Sequence, residues 1–266
     1  MSQRLATADP CRPYVSRNGS DVAVMVIHGF TSVPGSVFAW AGAIEDAGYD
    51  VSVPLLAGHG TRWEDLIGIP HTTWTATMEE EYDRLASTHR HVVVAGISMG
   101  GALALHLAAV RRPAAVLLVN PAVDGTPPLA RLAPVLAPFL RSTKAITDDI
   151  AKPGASEGGY PRTPTAAVTQ LRALQRSVRR ELPGVQAPIT LFHSTQDHVV
   201  GTASLRALLA GLPPAARTRL RRIELHRSFH MAVLDHDAPL VEHRSVLAIA
   251  EATGIPARGR EAGGSA

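Results

Sequence analysis

The chain of 266 residues lacks several features that define whole classes of protein. Its one cysteine, Cys11, excludes an intramolecular disulfide, so stability must come from packing. No stretch approaches the roughly 18 apolar residues of a membrane span. No basic segment followed by an apolar run stands near the N-terminus. These absences favour a soluble, cytoplasmic protein with no transmembrane segment.

The sequence also lacks a strong excess of charge, since its formal net charge is +3. Arginines nevertheless cluster in two places, and each cluster forms either a basic patch or a solvated helix or strand face. The two clusters are Arg176, Arg179 and Arg180, and Arg217, Arg219, Arg221 and Arg222. Because no nucleic-acid motif accompanies them, we favour solvated faces and expect no nucleic-acid partner.

Short apolar runs alternate along the chain with longer segments of helical periodicity. This rhythm predicts an α/β fold, in which helices cover both faces of a mostly parallel sheet. The predicted strands are residues 22–28, 50–55, 91–97, 115–120, 188–193 and 219–225. The predicted helices are residues 38–47, 74–87, 100–109, 205–212 and 239–251.

One long segment, residues 124–187, interrupts this rhythm and is rich in proline, glycine and arginine. We interpret it as a cap inserted into a core formed by residues 1–123 and 188–256, followed by a disordered tail at 257–266. The proline residues Pro134 and Pro138 make a long regular helix unlikely to form there. The apolar residues around them either line a substrate pocket or pack the cap on the core. Those assigned to the pocket are Leu129, Leu132, Leu136 and Phe139.

The most informative segment is residues 92–104, which read VVVAGISMGGALA. An apolar strand leads into GISMG and then into a helix of small residues, the context that a nucleophile elbow requires. At so sharp a turn the backbone is strained, and side chains at Gly96 and Gly100 would collide with the neighbouring strand and helix. We therefore predict Ser98 as a nucleophile at a helix N-terminus. The alternative is a glycine-rich turn with an incidental serine.

A second segment, VMVIHGF at residues 24–30, ends a strand at a glycine turn. Such a loop can direct a backbone N–H toward an oxyanion. We predict the N–H groups of Phe30 and Met99 as the two donors, each worth roughly 3 kcal/mol of transition-state stabilisation. His28 could be mistaken for a base, but its place beside the turn favours a structural role.

A serine nucleophile needs a base, and in this arrangement the chain order is nucleophile, acid, histidine. His230 follows the last predicted strand in a loop before the last helix, where a mobile base is expected. His226 and His236 are the weaker candidates. A metal site that includes His226, His230 and Asp235 is the other alternative. The segment is a strand and loop without an H-E-x-x-H helix, so we expect no metal.

The acid that orients the base should follow a strand. Asp197 lies in a turn between a predicted strand and a helix, where its carboxylate can accept the imidazole N–H and fix the tautomer. Asp124 also follows a strand and is the alternative, although it more naturally begins the cap.

Taken together, these segments resemble the bacterial carboxylesterase and monoacylglycerol lipase family, over residues 22–250. The resemblance implies an α/β-hydrolase fold, with the cap between the sixth and seventh strands of the family's sheet, and no cofactor. Its motifs are HGFT at 28–31, PLLAGHG at 54–60, WTAT at 74–77, GISMGG at 96–101, QDHVV at 196–200 and SFH at 228–230.

Within that family, the cap looks closer to the monoacylglycerol lipases. The residues that carry this likeness are Asp149-Ile150, Glu157 and Tyr160-Pro161-x-Thr163-Pro164. By resemblance, Glu157 hydrogen-bonds the glycerol hydroxyls and the apolar cap residues hold the acyl chain. The alternative for Glu157 is a solvated loop carboxylate, since Gly158 and Gly159 replace bulkier residues of the family.

We therefore predict a serine hydrolase that cleaves monoacylglycerols through an acyl-enzyme, with transient contact at a lipid surface. The sequence specifies no oligomeric state. A carboxylesterase for short-chain esters would use the same Ser98, Asp197 and His230. More distant alternatives are a thioesterase or acyltransferase, and a non-catalytic binding module, which would need none of these three residues.

Overall fold

A computed structural model describes residues 5, 7–125, 133–137 and 140–258 of the chain. Three of the predicted pocket-lining residues, Leu129, Leu132 and Phe139, lie outside the described residues, as does the side chain of Leu136. Most of the predicted tail, residues 259–266, also lies outside them. No described helix is long and apolar enough to cross a membrane.

The centre of the molecule is a seven-stranded sheet in the order β1-β3-β2-β4-β5-β8-β9. All neighbouring pairs are parallel except β1 with β3. These strands are β1 (Tyr14–Ser16), β2 (Val22–Ile27), β3 (Asp50–Val53), β4 (His91–Ile97), β5 (Ala115–Val119), β8 (Ile189–Ser194) and β9 (Leu220–Leu225). The predicted α/β fold with a mostly parallel sheet is confirmed.

Helices cover both faces of the sheet. The described helices are α1 (Phe38–Asp46), α2 (His71–Ala86), α3 (Met99–Val110), α4 (Ala133–Leu136), α5 (Thr165–Glu181), α6 (Gly201–Gly211), α7 (Pro214–Thr218) and α8 (Ala238–Thr253). Short 3₁₀ turns occupy Pro34–Val37, Trp63–Leu66 and Leu182–Gly184.

Side chains of the central strands point alternately to two hydrophobic clusters, as the period of a strand dictates. On β2, Met25 and Ile27 belong to the cluster that includes Trp74 of α2. Val24 and Val26 belong to the opposite cluster, together with helices α1 and α8. Because both faces are buried, the sequence of β2 is apolar at every position.

Several strands of the sheet differ from the predicted ones. Strand β1 is three residues long and was not predicted, because so short an edge strand has no recognisable periodicity. Strands β2 and β5 end one residue before the predicted ends, at His28 and Asn120. Both residues leave the ladder to form loops, and Asn120 has a left-handed φ of 42°.

The chain leaves the sheet after β5 and returns at β8. Among its described residues, the intervening segment adds no strand to the seven-stranded sheet. It forms a two-stranded hairpin of β6 (Ser142–Lys144) and β7 (Arg162–Pro164), followed by α5. Helix α5 has 17 residues and an amphipathic sequence, and it was not predicted because the whole segment was interpreted only as an irregular insertion rich in proline, glycine and arginine.

Candidate active site

The loops after β2, β4, β5, β8 and β9 gather at the carboxyl edge of the sheet. In parallel strands this edge is where ligands bind, because consecutive loops open there side by side. The register places Ile27 of β2 beside Gly96 of β4, and Ile97 beside Val119 of β5. Ser98 therefore follows the central strand with a loop on either side.

Ser98 occupies a strained turn between β4 and α3. Its φ of 54° and ψ of −120° are unusual for a residue with a side chain. A Cβ at Gly96 would collide with the Gly100 carbonyl, and one at Gly100 with the Ile27 carbonyl. The predicted steric reason for both glycines is confirmed.

The predicted base and acid meet across two loops. His230 Nδ1 lies 2.9 Å from Asp197 Oδ2, and both side chains are almost fully buried. Because a carboxylate can only accept, Nδ1 carries the proton and Nε2 is left as the basic nitrogen. Burial alone would raise the pKa of Asp197, but the hydrogen bond and charge of His230, with the N–H groups of Val199 and Val200, hold that pKa below its usual value.

His230 and Ser98 line one cavity of about 240 Å³. The geometry thus brings together a serine, a base and an orienting acid, which can carry out nucleophilic acyl transfer. Their catalytic roles stay a prediction.

The residues that the sequence offered as alternative bases and acids have other surroundings. His226 has a largely exposed side chain, and His236 is also exposed. Asp124 lies 3.6 Å from Arg179. Within the described ranges, no group of three or more His, Cys, Asp or Glu side chains is arranged to hold a metal ion.

The two N–H groups predicted to hold the oxyanion flank the nucleophile. Met99 follows Ser98 directly and begins α3, and Phe30 lines the same cavity. The loop passes close to the nucleophile at Gly29, where a Cβ would make ordinary van der Waals contact with the Ser98 Cβ at 3.5 Å. Thr31 then turns the loop with a left-handed φ of 60°. The role of Phe30 and Met99 as oxyanion donors stays a prediction.

Two contacts fix the Thr31 turn. His59 Nε2 accepts the Thr31 N–H at 3.2 Å, and the Tyr160 N–H donates to the Thr31 carbonyl at 2.7 Å. The His59 ring stacks on Tyr160, with centroids 6.3 Å apart. Burial, together with the nearby His28, lowers the pKa of His59 to about 3, so the ring stays neutral and Nε2 remains an acceptor. The inserted segment therefore supports the loop that carries Phe30.

His28 has the structural role that its position predicted. Its Nε2 accepts the Leu56 N–H at 3.3 Å, and its Nδ1 donates to the Gly29 carbonyl at 2.9 Å. Burial lowers the pKa of His28 to about 4, which keeps the ring neutral at ordinary pH.

The inserted segment supplies both apolar and acidic groups to the cavity. Val168 and Leu171 of α5 line it beside Val199 and Val200 of the core. Glu157 lines it as well and is 9% exposed, which excludes the alternative of a solvated loop carboxylate.

Glu157 is held in place by a reciprocal pair of hydrogen bonds. Its Oε1 accepts the Asp148 N–H at 3.0 Å, and its own N–H donates to Asp148 Oδ1 at 2.8 Å. Burial raises the pKa of Glu157, against the opposing effects of the Asp148 N–H and of His230. A carboxyl group so fixed in a cavity can accept hydrogen bonds from the hydroxyl groups of a ligand.

Two residues that sequence reasoning missed hold the loop of His230. Asn120 Nδ2 donates to the His230 carbonyl at 2.8 Å and to Ser194 Oγ at 2.9 Å. Asp235 is 2% exposed and accepts the Phe229 N–H at 2.9 Å. A polar residue at the end of a buried strand was the available signal for Asn120, which we had assigned to the strand itself.

The chain is similar to known proteins over most of its length. The alpha/beta hydrolase family model matches residues 24–250. A thermostable monoacylglycerol lipase of Bacillus sp. (strain H-257) is 34% identical, covering 92% of this chain and 97% of the relative. A carboxylesterase of Bacillus subtilis (strain 168) is 23% identical, covering 88% and 94%.

A solved structure of a metagenome-derived lipolytic enzyme, reported with LipS and LipT, superimposes with a TM-score of 0.86. It is 30% identical and covers 91% of this chain and 98% of its own. The match of the family model to most of the chain agrees with the sheet order, the strained Ser98 turn and the His230–Asp197 pair. This chain therefore belongs to the alpha/beta hydrolase family.

Proposed function

We propose that this protein is a serine hydrolase that cleaves monoacylglycerols to fatty acid and glycerol through an acyl-enzyme on Ser98. Its relatives are lipases and esterases, and hydrolysis of a carboxylic ester is the activity that the family and the site support. The observation that carries the proposal is a single cavity lined by Ser98, His230 and Glu157, with Asp197 bonded to His230.

The mechanism follows from the positions of these groups. His230 Nε2 takes the proton of Ser98 as the serine oxygen attacks the ester carbonyl. The N–H groups of Phe30 and Met99 stabilise the tetrahedral oxyanion. Protonated His230 then gives its proton to the leaving alcohol. Water repeats the same sequence on the acyl-enzyme and releases the fatty acid.

The proposed preference for a monoacylglycerol rests on the polar and apolar groups that line different parts of the cavity. Glu157 offers carboxylate oxygens to the glycerol hydroxyls, while Val168 and Leu171 offer an apolar surface to the acyl chain. Residues 124–187 would then act as a cap that contacts both parts of the substrate. A carboxylesterase for simple esters remains the second candidate, because Ser98 and His230 serve any ester.

A substrate series tests this proposal. Hydrolysis of monoacylglycerols of increasing chain length should be compared with hydrolysis of short nitrophenyl esters, with and without a serine-directed fluorophosphonate. A fluorophosphonate-sensitive preference for monoacylglycerols is expected. Preference for short simple esters would support the carboxylesterase.

Ser98→Ala is the control for the nucleophile, and it should lose turnover by about a million-fold while keeping the fold. The exposed Ser87→Ala should retain wild-type turnover and fluorophosphonate labelling. Turnover that survives in Ser98→Ala would contradict the mechanism, and a wild-type protein that neither turns over nor labels would indicate a binding module.

Transient contact with a lipid surface is also part of the proposal. Val135 and Ile146 of the inserted segment are 67% and 63% exposed, and Ile146 lines the cavity beside Lys144. Apolar side chains next to a cation suit the interface of an anionic bilayer. Sedimentation with anionic vesicles should exceed that with zwitterionic ones. Replacing Ile146 with Ser should reduce it, and an unchanged sedimentation would contradict this contact.

A further inference from the structure

The carboxylate of Asp149 lies between the two loops that carry the proposed base and acid. Its Oδ2 accepts the backbone N–H of His230 at 3.0 Å and that of His198 at 3.3 Å. His198 directly follows Asp197, and its ring Nδ1 lies 2.8 Å from Asp149 Oδ1. One side chain of the inserted segment therefore bonds the loops of both His230 and Asp197.

The backbone of Asp149 adds a third bond to the histidine loop. Its carbonyl accepts the Met231 N–H at 3.1 Å. Asp149 thus accepts hydrogen bonds from two consecutive backbone N–H groups, those of His230 and Met231. Asp149 also lines the cavity that holds Ser98.

The segment around Asp149 is anchored on either side. Asp235 accepts the N–H groups of Ala151 and Lys152 at 2.7 and 2.9 Å. Before Asp149, the reciprocal bonds of Asp148 with Glu157 hold the backbone. Asp149 is therefore fixed when it bonds the histidine loop.

His198 completes the arrangement from the solvent side. Its side chain is 61% exposed, and its ring packs edge-on against Phe229 with centroids 4.6 Å apart. Since the carboxylate can only accept, His198 Nδ1 carries a proton toward Asp149. The ring thereby limits the rotation of the Asp149 carboxylate.

These contacts bear on catalysis because Asp197 fixes the ring of His230 but not its backbone. A base must be held within a few tenths of an ångström of its productive position, and a displacement of about 1 Å can cost about 100-fold in rate. The backbone N–H of His230 is where Asp149 acts. The contact is long-range, since the two partners are 81 positions apart in the sequence.

We propose that Asp149 is a positioning residue for His230, and that His198 supports it by holding its second carboxylate oxygen. The inference rests on the assignment of His230 as the general base. Asp149 touches neither the substrate nor the reacting atoms in this role. It acts on turnover by fixing the backbone of the base.

The test measures kcat and KM for a short nitrophenyl ester, and the rate of fluorophosphonate labelling, in variants of the full chain. Asp149→Ala should lower kcat and the labelling rate about 100-fold and leave KM within about twofold. Asp149→Asn should retain much more of the wild-type kcat and labelling rate than Asp149→Ala, because its amide carbonyl oxygen can still accept one of the hydrogen bonds.

His198→Ala should lower kcat by a few fold, and the double variant should be no slower than Asp149→Ala alone. The exposed His226→Ala is the matched control and should retain wild-type kinetics. Circular dichroism and thermal unfolding report whether each variant is folded.

Unchanged kcat in folded Asp149→Ala, a loss confined to KM, or additive losses in the double variant would each overturn the proposal. If Asp149→Ala does not fold, His198→Ala decides: a loss of a few fold in kcat with KM unchanged is expected, and an unchanged kcat or a loss confined to KM would overturn the proposal. Failure of the proposed function is distinct, since the wild-type protein itself would then show neither turnover nor labelling.

Discussion

Asp197 is kept ionised by the groups around it, and that charge is what the proposed base requires. The net effect of His230 and two backbone N–H groups lowers the pKa of Asp197 despite its burial. An ionised Asp197 holds the His230 proton on Nδ1 and stabilises the imidazolium that forms as Ser98 attacks. Individual residues therefore decide the tautomer and the charge of the site.

Replacing His230 with Ala should abolish ester hydrolysis almost as fully as loss of the nucleophile, because His230 is the one histidine among the described residues that line the cavity of Ser98. The measurement is kcat on a nitrophenyl ester. His226→Ala, four residues earlier and exposed, should leave kcat unchanged. If His226→Ala were the damaging change, the assignment of the base would be wrong.

Replacing Glu157 with Gln should reduce kcat/KM for monoacylglycerols by about tenfold more than kcat/KM for a nitrophenyl ester. The amide loses the charge that strengthens hydrogen bonds from the glycerol hydroxyls, each worth about 1.5 to 3 kcal/mol when one partner is charged. The comparison of the two substrates on one variant is the measurement. Equal losses on both substrates would contradict the head-group role.

At the scale of elements, the turn from β4 to α3 depends on close packing of backbone. The helix approaches β2 so closely at Gly100 that no Cβ fits against the Ile27 carbonyl. Backbone cannot yield as a flexible side chain can. The orientation of Ser98 thus depends on the absence of side chains beside it.

Gly100→Ala should destabilise the protein by about 1 to 3 kcal/mol, the usual cost of inserting a methyl group into packed structure, and should lower kcat as the elbow shifts. Urea unfolding and ester hydrolysis measure the two effects. Gly184→Ala is the comparison and should cost less, since a Cβ there would make a tight contact with the Ala109 carbonyl oxygen at 3.3 Å, whereas at Gly100 it would clash with the Ile27 carbonyl. Equal stability of the two variants would contradict this account of the elbow.

At the scale of the whole molecule, a buried histidine joins the inserted segment to the core. His106 of α3 lies 2.7 Å from Glu181 of α5 and 3.1 Å from Glu79 of α2. Burial would lower the pKa of His106, but the two glutamates together raise it above its usual value. His106 therefore links three helices through its contacts with the two glutamates and helps to fix α5 over the sheet.

Because the folded-state pKa of His106 is raised, its contribution to stability is fully present below the unfolded value of about 6.5 and is lost as the pH rises through the folded value. His106→Gln should therefore cost more unfolding free energy at pH 6 than at pH 9. Urea unfolding across this range measures the difference. A difference that does not change with pH would contradict the role of the charge.

The sequence by itself determined the features that local sterics and periodicity dictate. Strands buried on both faces, such as β2 and β5, are apolar at every position, so they were predicted nearly to their ends. Gly96 and Gly100 are required where the turn packs against its neighbours, so GISMG between an apolar strand and a helix was enough to predict Ser98 as the nucleophile. Chain order narrowed the candidate acids and histidines, and the places of Asp197 and His230 in loops after predicted strands selected the pair that the structure brings within 2.9 Å.

Tertiary structure decided what depends on contacts between distant segments. No local pattern marks Asp149 as a partner of His230, because a carboxylate in a loop has many alternative uses and the contact forms only when the inserted segment packs on the core. The burial of Glu157 and the placement of α5 over the cavity also depend on the packing of the inserted segment against the core. Periodicity and sterics act within a few residues, whereas these positions are set by the packing of the whole chain.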